Sequence, residues 1–236
     1  MLCTNLFGVK CRVSRGRIGW YWQAIGGCGM SVWFTSDPHF GHAKIAETRG
    51  FPTVFDHDSA VIASILTRVQ HGDQLWILGD LSAGGRAAED RALELLATVD
   101  ADLHLIAGNH DSCHSMHRDA HKHQRRFLEV FTSVQTFARR RVAGRNVMLS
   151  HFPYVGDHTS IDRATEYRLR DEGMWLLHGH THSSKMLTFG QVTLGFDGED
   201  IVHLPPKQIH VGWDAWKRPV GLDEIAALFE QEEVRP

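Results

Sequence analysis

The 236-residue sequence lacks an apolar run of the roughly 18 residues that a membrane-spanning helix requires, which excludes such a helix. It also has few cysteines: there are four, no two of them form a CxxC pair, and three lie within the first 28 residues. Disulfides therefore cannot cross-link the body of the fold, and we expect a reduced, cytoplasmic protein. Neither sign of charge is in excess, because 25 Lys and Arg stand against 28 Asp and Glu. This balance gives no strong signal for nucleic acid or an anionic membrane as a partner.

The first 29 residues differ in composition from the rest of the chain. The stretch "IGWYWQAIGGCGM" is apolar and glycine-rich, but it is too short and too interrupted for a secretion signal. Its glycines precede a strand instead of following one, which argues against a dinucleotide-binding loop. We therefore expect residues 1–29 to be a leader outside the core, with Met30 as the functional start. Residues 30–236 are long enough to form one domain with a sizeable core.

From Ser31 onward, a short apolar run that ends on polar residues occurs five times. The five runs are "SVWFTSD", "QLWILGD", "LHLIAGNHD", "NVMLSH" and "WLLHGH". Runs of this length are typical of buried strands. Helical periodicity over 58–70, 86–99 and the C-terminal "GLDEIAALFEQEE" predicts helices, the first with Asp56 and Asp58 as possible caps. This alternation predicts stacked sheets covered by helices.

Polar side chains follow each of the five predicted strands. Ligands of α/β proteins bind beyond the carboxyl ends of the strands, so we expect these side chains to lie close together. The set also includes residues that stand just beyond the strand ends, and it comprises Asp37, His39, Asp80, Asn109, His110, His151, His180 and His182.

The donor atoms of this set belong to carboxylates, imidazoles and an amide, with no thiolate, and the chain contains 17 histidines. Such donors suit Mn, Fe, Ni or Zn, and their number is sufficient for two ions. A carboxylate can bridge two ions, and Asp80 is the candidate. Two divalent ions would leave the site positive and would lower the pKa of bound water, which suits attack on phosphorus. Glycines precede three of the polar residues, at positions 79, 108 and 179, and could allow a close approach of the backbone.

In this order, the motifs "SDPHFGH", "GD", "GNHD", "SHFPY" and "HGHTH" resemble those of the calcineurin-like metallophosphoesterase superfamily. The resemblance extends from about residue 31 to residue 230, including "HVGWDAW". It implies an α/β fold, a four-layer α/β/β/α sandwich of two mixed β-sheets flanked by helices. It also implies that Asp37, His39 and His182 hold one metal ion and that Asn109, His151 and His180 hold the other, with Asp80 as the bridge. By the same resemblance His110 is a general acid or a transition-state hydrogen-bond donor, and Asp111 orients it.

The gaps between the motifs are too short for a separate capping domain, so the site should be open. Small uncapped members of the superfamily often hydrolyse phosphodiesters. The resemblance therefore implies a phosphodiesterase in which metal-bound hydroxide attacks phosphorus, with Mn²⁺ as the ion and a nucleotide, such as a 2′,3′-cyclic nucleotide, as the small phosphoester substrate. One alternative is a phosphomonoesterase that acts on nucleotides or phosphoproteins. A protein of another class, a catalytically silent metal-binding scaffold, is a further alternative.

Three other features allow more than one interpretation. His42 could contact the metal ligands or phosphate, or it could be a solvated residue at a helix start. His114, His117 and His121 would share one face of a helix with His110, which predicts either a lid, a further metal site or a solvated polar helix. Arginines at 139, 140, 141 and 145 flank a hairpin predicted to turn at Ala143–Gly144, and they could guide phosphate or protect a sheet edge.

Overall fold

The computed structural model describes residues 2–4, 10–12, 30–159, 161–188, 191–193, 201–203 and 207–233. Its strands are β1 Leu2–Thr4, β2 Lys10–Arg12, β3 Val32–Thr35, β4 Gln74–Ile77, β5 Asp102–Ile106, β6 Ser133–Gln135, β7 Phe137–Val142, β8 Arg145–Ser150, β9 Trp175–His178, β10 Leu187–Thr188, β11 Gln191–Thr193, β12 Ile201–His203, β13 Gln208–His210 and β14 Val220–Gly221. Its helices are α1 Ala43–Thr48, α2 Val54–Arg68, α3 Arg86–Leu96, α4 Ala120–Phe127, α5 Trp213–Trp216 and α6 Leu222–Glu233. The predicted leader, residues 1–29, lies outside the described residues apart from β1 and β2.

Ten of the strands form two five-stranded sheets, and both sheets are mixed. The first sheet has the order β14-β3-β4-β5-β6, in which β3 to β6 are parallel and β14 is antiparallel to β3. The second sheet has the order β10-β13-β9-β8-β7, in which the three central strands are parallel and both edge strands are antiparallel to their neighbours. The five strands predicted from apolar runs are confirmed as β3, β4, β5, β8 and β9, and none of them is an edge strand.

The two sheets pack face to face through one apolar cluster, which includes Phe34 from the first sheet and Leu177 from the second. The opposite face of the first sheet, represented by Leu75, packs against α2 and α3 through Ile65 and Leu96. The central parallel strands β3, β4 and β5 are thus packed on both faces, which explains their apolar runs. In the described part of the chain, two mixed five-stranded sheets and six α-helices confirm the predicted α/β sandwich.

Helix α2 begins earlier than the sequence predicted, and the predicted caps are wrong. The cap is Thr53, whose hydroxyl oxygen accepts a hydrogen bond from the backbone nitrogen of Asp56 at 3.1 Å. Asp56 therefore lies in the first helical turn, where a carboxylate is favoured by the helix dipole. Asp58 lies further inside the helix, where its buried carboxylate accepts a hydrogen bond from the backbone of Gly41 at 3.0 Å.

The helical face predicted for His110, His114, His117 and His121 does not exist. Residues 110–119 form successive turns, and α4 begins only at Ala120. His114 is buried against the ring of Phe152, whereas His121 is exposed on α4. Because these side chains point to different surroundings, the histidine-rich segment does not provide the additional metal site.

The predicted hairpin is confirmed, since β7 and β8 pair antiparallel and turn at Ala143 and Gly144, both with positive φ. This turn lies at the end of the second sheet opposite to the carboxyl end of β8. The neighbouring Arg140 stacks on the ring of Trp76 at 5.2 Å, and the guanidinium of Arg145 lies 5.6 Å from the ring of Phe229. These positions favour an edge-protecting role over guidance of phosphate. No helix among the described residues is long and apolar enough to span a membrane.

Candidate metal centre

The side chains that follow the five predicted strands lie together at one end of the two sheets. The sheets join there, because Ser36, after β3, forms an isolated parallel bridge with Gly212, after β13. The backbone nitrogen of His180, after β9, donates to the carboxylate of Asp37 at 3.1 Å. The imidazole of His151, after β8, lies 3.1 Å from the amide oxygen of Asn109, after β5. The strand ends thus bring residues from both sheets into one cluster.

Five of these residues adopt an unusual backbone conformation. The structure describes eight non-glycine residues with positive φ, and five of them are expected metal ligands: Asp37, His39, Asp80, His180 and His182. Left-handed backbone costs an L-residue about 1–2 kcal/mol. Such conformations concentrate at functional sites, where the surrounding structure holds them in place. The backbone therefore marks this cluster independently of the side-chain chemistry.

Three of the expected ligands, Asp37, His39 and His182, form the first ligand group. Their potential ligand atoms lie within 4.8 Å of one another, and the rings of His39 and His182 stack with centroids 5.0 Å apart. Nδ1 of His39 lies 3.1 Å from the carbonyl oxygen of Ser82, to which it donates. Nε2 is consequently left with a free lone pair, and it is buried without a hydrogen-bond partner among the described residues. A buried lone pair beside a carboxylate fits a bound cation.

The second ligand group consists of Asn109, His151 and His180. The amide oxygen of Asn109 lies 3.1 Å from Nε2 of His151 and 3.0 Å from Nδ1 of His180. Nδ1 of His151 lies 2.7 Å from the carbonyl oxygen of Leu78, so this nitrogen donates and Nε2 faces the cluster as an acceptor. One oxygen and two nitrogens therefore converge as they would around a divalent ion.

Asp80 lies between the two ligand groups. Its Oδ2 atom is 3.8 Å from Nε2 of His39 and 3.5 Å from Nε2 of His151, while Oδ1 accepts a hydrogen bond from the backbone of His110 at 2.9 Å. Burial, and next the charge of Asp37, raise the pKa of Asp80 well above its usual value. A cation would relieve both effects, so the residues present fit the two divalent ions that the sequence predicted.

The three glycines singled out in the sequence are required by close packing around these side chains. A Cβ atom on Gly79 would lie 2.5 Å from the backbone nitrogen of Gly108. On Gly179 it would collide with Ser36 and with the carboxylate of Asp37. The glycines thus allow the ligand loops to pack against one another.

His110 is placed at the opening of this cluster. Its side chain is 41% exposed, and Nε2 lies 4.0 Å from Oδ2 of Asp80. The ring centroid is 5.6 Å from that of His39. Burial, and next the nearby His151, lower the pKa of the imidazole. This side chain can therefore reach both the expected ions and a molecule that enters from solvent.

The expectation that Asp111 orients the imidazole of His110 is wrong. The carboxylate of Asp111 is fully buried and accepts hydrogen bonds from the backbone nitrogens of Asp80, Leu81 and Gly108 at 3.0, 3.0 and 2.7 Å. Its oxygens are therefore occupied by the two loops that carry ligands. Asp111 fixes the position of Asp80 relative to Gly108, and it does not contact the ring of His110.

Two carboxylates that the sequence analysis did not assign hold the histidines of the HGHTH segment. Oδ2 of Asp214 lies 2.9 Å from Nδ1 of His182, and Oδ2 of Asp157 lies 3.1 Å from Nε2 of His180. Asp214 belongs to the "HVGWDAW" stretch, and Asp157 follows "SHFPY". The motifs therefore lie close to both residues in the sequence but did not predict that their carboxylates hold histidines.

Asp157, His158 and His180 also form a compact group of potential ligand atoms. However, the guanidinium groups of Arg163 and Arg168 lie 3.0 and 3.5 Å from the carboxylate of Asp157. Two positive charges on this carboxylate disfavour a third cation. We therefore interpret Asp157 as a support for His180.

His42 and His158 stand beside the ligand groups. Nδ1 of His42 accepts a hydrogen bond from the backbone of Ile45 at 3.4 Å and caps α1, while its ring lies 5.4 Å from that of His39. The ring of His158 lies 5.7 and 5.9 Å from the rings of His180 and His182. Both predicted interpretations of His42 thus hold in part, since it caps a helix and also adjoins a ligand.

Comparisons with known proteins agree with the family resemblance of the sequence motifs. Residues 30–201 match the calcineurin-like phosphoesterase superfamily domain. The chain is 44% identical over 206 residues to the Gene 66 protein of Mycobacterium phage L5, and the aligned region covers 84% of this chain and 93% of that protein. It is also 44% identical over 208 residues to the Gene 66 protein of Mycobacterium phage D29, which covers 86% and 98%. A solved structure of a protein of unknown function from Aquifex aeolicus shares the fold, with a TM-score of 0.60, 20% identity and coverage of 85% and 100%.

Proposed function

This chain belongs to the calcineurin-like phosphoesterase superfamily, and we propose that, as a metal-dependent phosphoester hydrolase, it cleaves phosphodiesters at a centre of two divalent ions. One observation carries the proposal: a single oxygen of Asp80 lies within 4 Å of a ligand nitrogen from each ligand group, 3.8 Å from His39 and 3.5 Å from His151. A carboxylate in that position suits a bridge between two ions.

The first ligand group would hold one ion, and the second ligand group would hold the other. Asp80 would contact both ions. When bound, such ions neutralise phosphate oxygens and supply a hydroxide nucleophile at neutral pH by lowering the pKa of water. Manganese is the ion we propose, because carboxylate, imidazole and amide donors without thiolate suit it, with Fe, Ni and Zn as alternatives.

The residues of the chain itself have two tasks, to position the phosphate and to assist the leaving group. His110 is exposed at the opening with Nε2 directed toward Asp80, so we assign it the hydrogen bond or proton given to the leaving oxygen. His42 and His158 adjoin the first ligand group and can donate hydrogen bonds to non-bridging phosphate oxygens.

An adjacent cavity supports a nucleotide as the substrate. A cleft of about 650 Å³ is lined by residues that include His117, Arg118, Gln124 and Phe137. One of its lining residues contacts the second ligand group, since Nε2 of His117 lies 3.0 Å from the backbone oxygen of Asn109. The ring of Phe137 is 52% exposed. An exposed aromatic ring with amide and basic groups suits stacking and hydrogen bonding of a base, so 2′,3′-cyclic nucleotides are the substrates that we propose.

The test uses metal-stripped protein reconstituted with Mn²⁺ and assayed on an aryl phosphodiester and the matching monoester side by side. We expect the diester to be cleaved faster, and the Asp80→Asn protein to show no metal-stimulated cleavage of either. Faster cleavage of the monoester would identify a phosphomonoesterase instead. No cleavage with Mn²⁺, Ni²⁺ or Zn²⁺ would favour the metal-binding scaffold. If the diester is preferred, 2′,3′- and 3′,5′-cyclic nucleotides are compared next.

We further propose that residues 30–236 form the functional domain and that the protein acts in the cytoplasm. The two ligand groups, Asp80 and His110 all lie between Asp37 and His182, and the match to the superfamily domain begins at residue 30. Deletion of residues 1–29 should leave the specific activity unchanged. An insoluble or metal-free product would show that these residues belong to the fold.

A further inference from the structure

A buried arginine lies behind the first ligand group. The side chain of Arg49, which follows α1, is only 2% exposed. Its Nε and Nη2 atoms donate to the two carboxylate oxygens of Asp214 at 2.8 and 2.7 Å. Nη2 also donates to the backbone oxygen of Asp37 at 2.8 Å, and Nη1 reaches the backbone oxygen of Pro38 at 3.3 Å and Nε2 of His57 at 2.9 Å. All five N–H groups of this guanidinium thus have a partner.

Two of these contacts act on strained backbone. Asp37 and His39 have φ values of 55° and 48°, and Pro38 lies between them. Because Arg49 holds the carbonyl groups of Asp37 and Pro38, it stabilises the conformation that directs both ligands toward the same point. A bidentate pair combined with two carbonyl contacts needs the planar guanidinium, which an ammonium group cannot replace.

The same guanidinium also acts on the third ligand of the group. Asp214 is held on one side by Arg49 and on the other lies 2.9 Å from Nδ1 of His182. This nitrogen therefore donates to the carboxylate, and Nε2 keeps its lone pair. A charged acceptor at this place fixes the tautomer of His182 and its ring orientation.

The arginine is in turn anchored to the helical layer. Its partner His57 lies on α2, is fully buried, and has Nδ1 3.1 Å from the carboxylate of Asp58. Arg91, on α3, donates to Asp58 at 3.0 Å. The ring of Trp213 lies 5.1 Å from the guanidinium. The position of Arg49 is thus determined by several elements of the fold.

From these contacts we propose that Arg49 and Asp214 are positioning residues that set the affinity of the first ligand group for its metal ion. Arg49 acts on Asp37 and His39 by holding the backbone carbonyl groups between them. Asp214 acts on His182 by fixing the tautomer of its imidazole. The proposal rests on the proposed dinuclear function, and nothing in the sequence motifs assigns these two residues a role.

The second ligand group provides the matched comparison. There Asp157 accepts from His180, and it is held by Arg163, whose side chain is 50% exposed. The two carboxylates therefore have the same relation to the two histidines but belong to different ions. Replacing Asp214 should therefore weaken the binding of one ion, and replacing Asp157 should weaken the binding of the other.

The experiment measures binding of Mn²⁺ to metal-stripped protein by calorimetry and by the paramagnetic resonance of the bound ions. Asp214→Asn preserves the size of the side chain and removes its charge. We expect wild-type protein to bind two ions, and Asp214→Asn to bind one of them about 10–100-fold more weakly, the usual effect of losing a partner of a ligand histidine. Arg49→Lys, which cannot make the bidentate pair, should weaken the binding of the same ion.

The His182→Ala background shows which ion is affected. In His182→Ala, where we expect one ion to remain in the second ligand group, adding Asp214→Asn should change the affinity for that ion by less than about twofold. Adding Asp157→Asn in the same background should weaken it. Unfolding curves of the metal-free variants verify that each has folded, and Asp214→Asn remains informative if Arg49→Lys does not fold.

Binding of both ions by Asp214→Asn with wild-type affinity would overturn the proposal, as would equal weakening of both ions. Because binding is measured without turnover, this result is separate from that of the hydrolysis assay. A protein that binds two ions but cleaves no ester would overturn the proposed function and leave the positioning role intact.

Discussion

Oδ2 of Asp80 lies 3.5 Å from Nε2 of His151, and this contact joins a strand end of the first sheet to a strand end of the second. The same oxygen lies 3.8 Å from Nε2 of His39. In the absence of an ion, the carboxylate has the buried charge of Asp37 beside it, which raises its pKa after the larger effect of burial. The Asp80 carboxylate thus lowers the stability of the metal-free protein, whereas in the metal-bound protein it would contact both ions.

Asp80→Asn should separate these two effects. The change removes a buried charge, so the metal-free variant should be at least as stable as the wild type. Mn²⁺ at 100 times its dissociation constant should stabilise the wild type by about 2.7 kcal/mol for each bound ion and the variant by almost nothing. Thermal unfolding with and without Mn²⁺ measures both quantities, and Asp223→Asn, at an exposed position on α6, is the control. An unchanged response to Mn²⁺ would rule out the bridging role.

His110→Ala should leave both ions bound and slow turnover by about 10²–10⁴-fold, the usual contribution of an acid–base group. The leaving group distinguishes its two possible roles. If His110 donates a proton, the loss should be larger for an alkyl diester than for a nitrophenyl diester, because the poorer leaving group depends more on protonation. If it only donates a hydrogen bond to the transition state, the two losses should be similar. His71→Ala, at a side chain that is 87% exposed and lies outside both the ligand groups and the cleft, should have no effect.

Gly179→Ala should disturb the first ligand group by steric contact alone. The added methyl group would collide with Ser36 and with the carboxylate of Asp37. Overpacking of this kind costs about 1–3 kcal/mol, so we expect lower stability and weaker binding of one ion. Gly221→Ala is the control, because its methyl group would meet the ring of Trp33 at 3.3 Å, in a different part of the fold from the ligand groups. Denaturant unfolding and Mn²⁺ titration of both variants test the difference, and wild-type behaviour of Gly179→Ala would contradict it.

The strands and the residues at their ends were predictable because both depend on local sequence. An apolar run between polar residues defines a buried strand, and the parallel arrangement then brings Asp37, Asp80 and Asn109 to the same end. The helix starts were predicted less well, since Thr53 and Asp56 are both acceptable caps and only the complete turn decides between them.

The supports of the ligands could not be predicted in the same way. Arg49 and Asp214 are 165 positions apart, so no local pattern relates them. Asp111 stands next to His110 in sequence, which suggested a contact, but its side chain turns toward the backbone of neighbouring loops instead. Left-handed backbone at Asp37 and His39 was also unforeseen, because neither residue type requires it and the surrounding contacts impose it.

Asp73 allows a test of the fold that does not involve the metal centre. Its carboxylate accepts hydrogen bonds from the backbone of Ser31 at 2.9 Å, from Nε1 of Trp33 at 2.9 Å and from the backbone of Gln70 at 3.0 Å. Although burial opposes ionisation, these bonds lower the pKa of Asp73. A carboxylate with a lowered pKa in the folded state stabilises the protein above its unfolded pKa, near 4, and loses this contribution as the pH falls through the folded value.

Asp73→Asn should therefore lower the free energy of unfolding by about 1–3 kcal/mol at pH 7. The difference from the wild type should shrink as the pH falls below about 4, because the wild-type carboxylate then becomes protonated and loses its advantage over the amide. Urea unfolding of metal-stripped protein between pH 7 and pH 3 measures this difference. Asp100→Asn is the control, since the side chain of Asp100 is 81% exposed and its pair with His71 should contribute little. A difference that stayed constant with pH would show that the side chain acts through its shape and not through its charge.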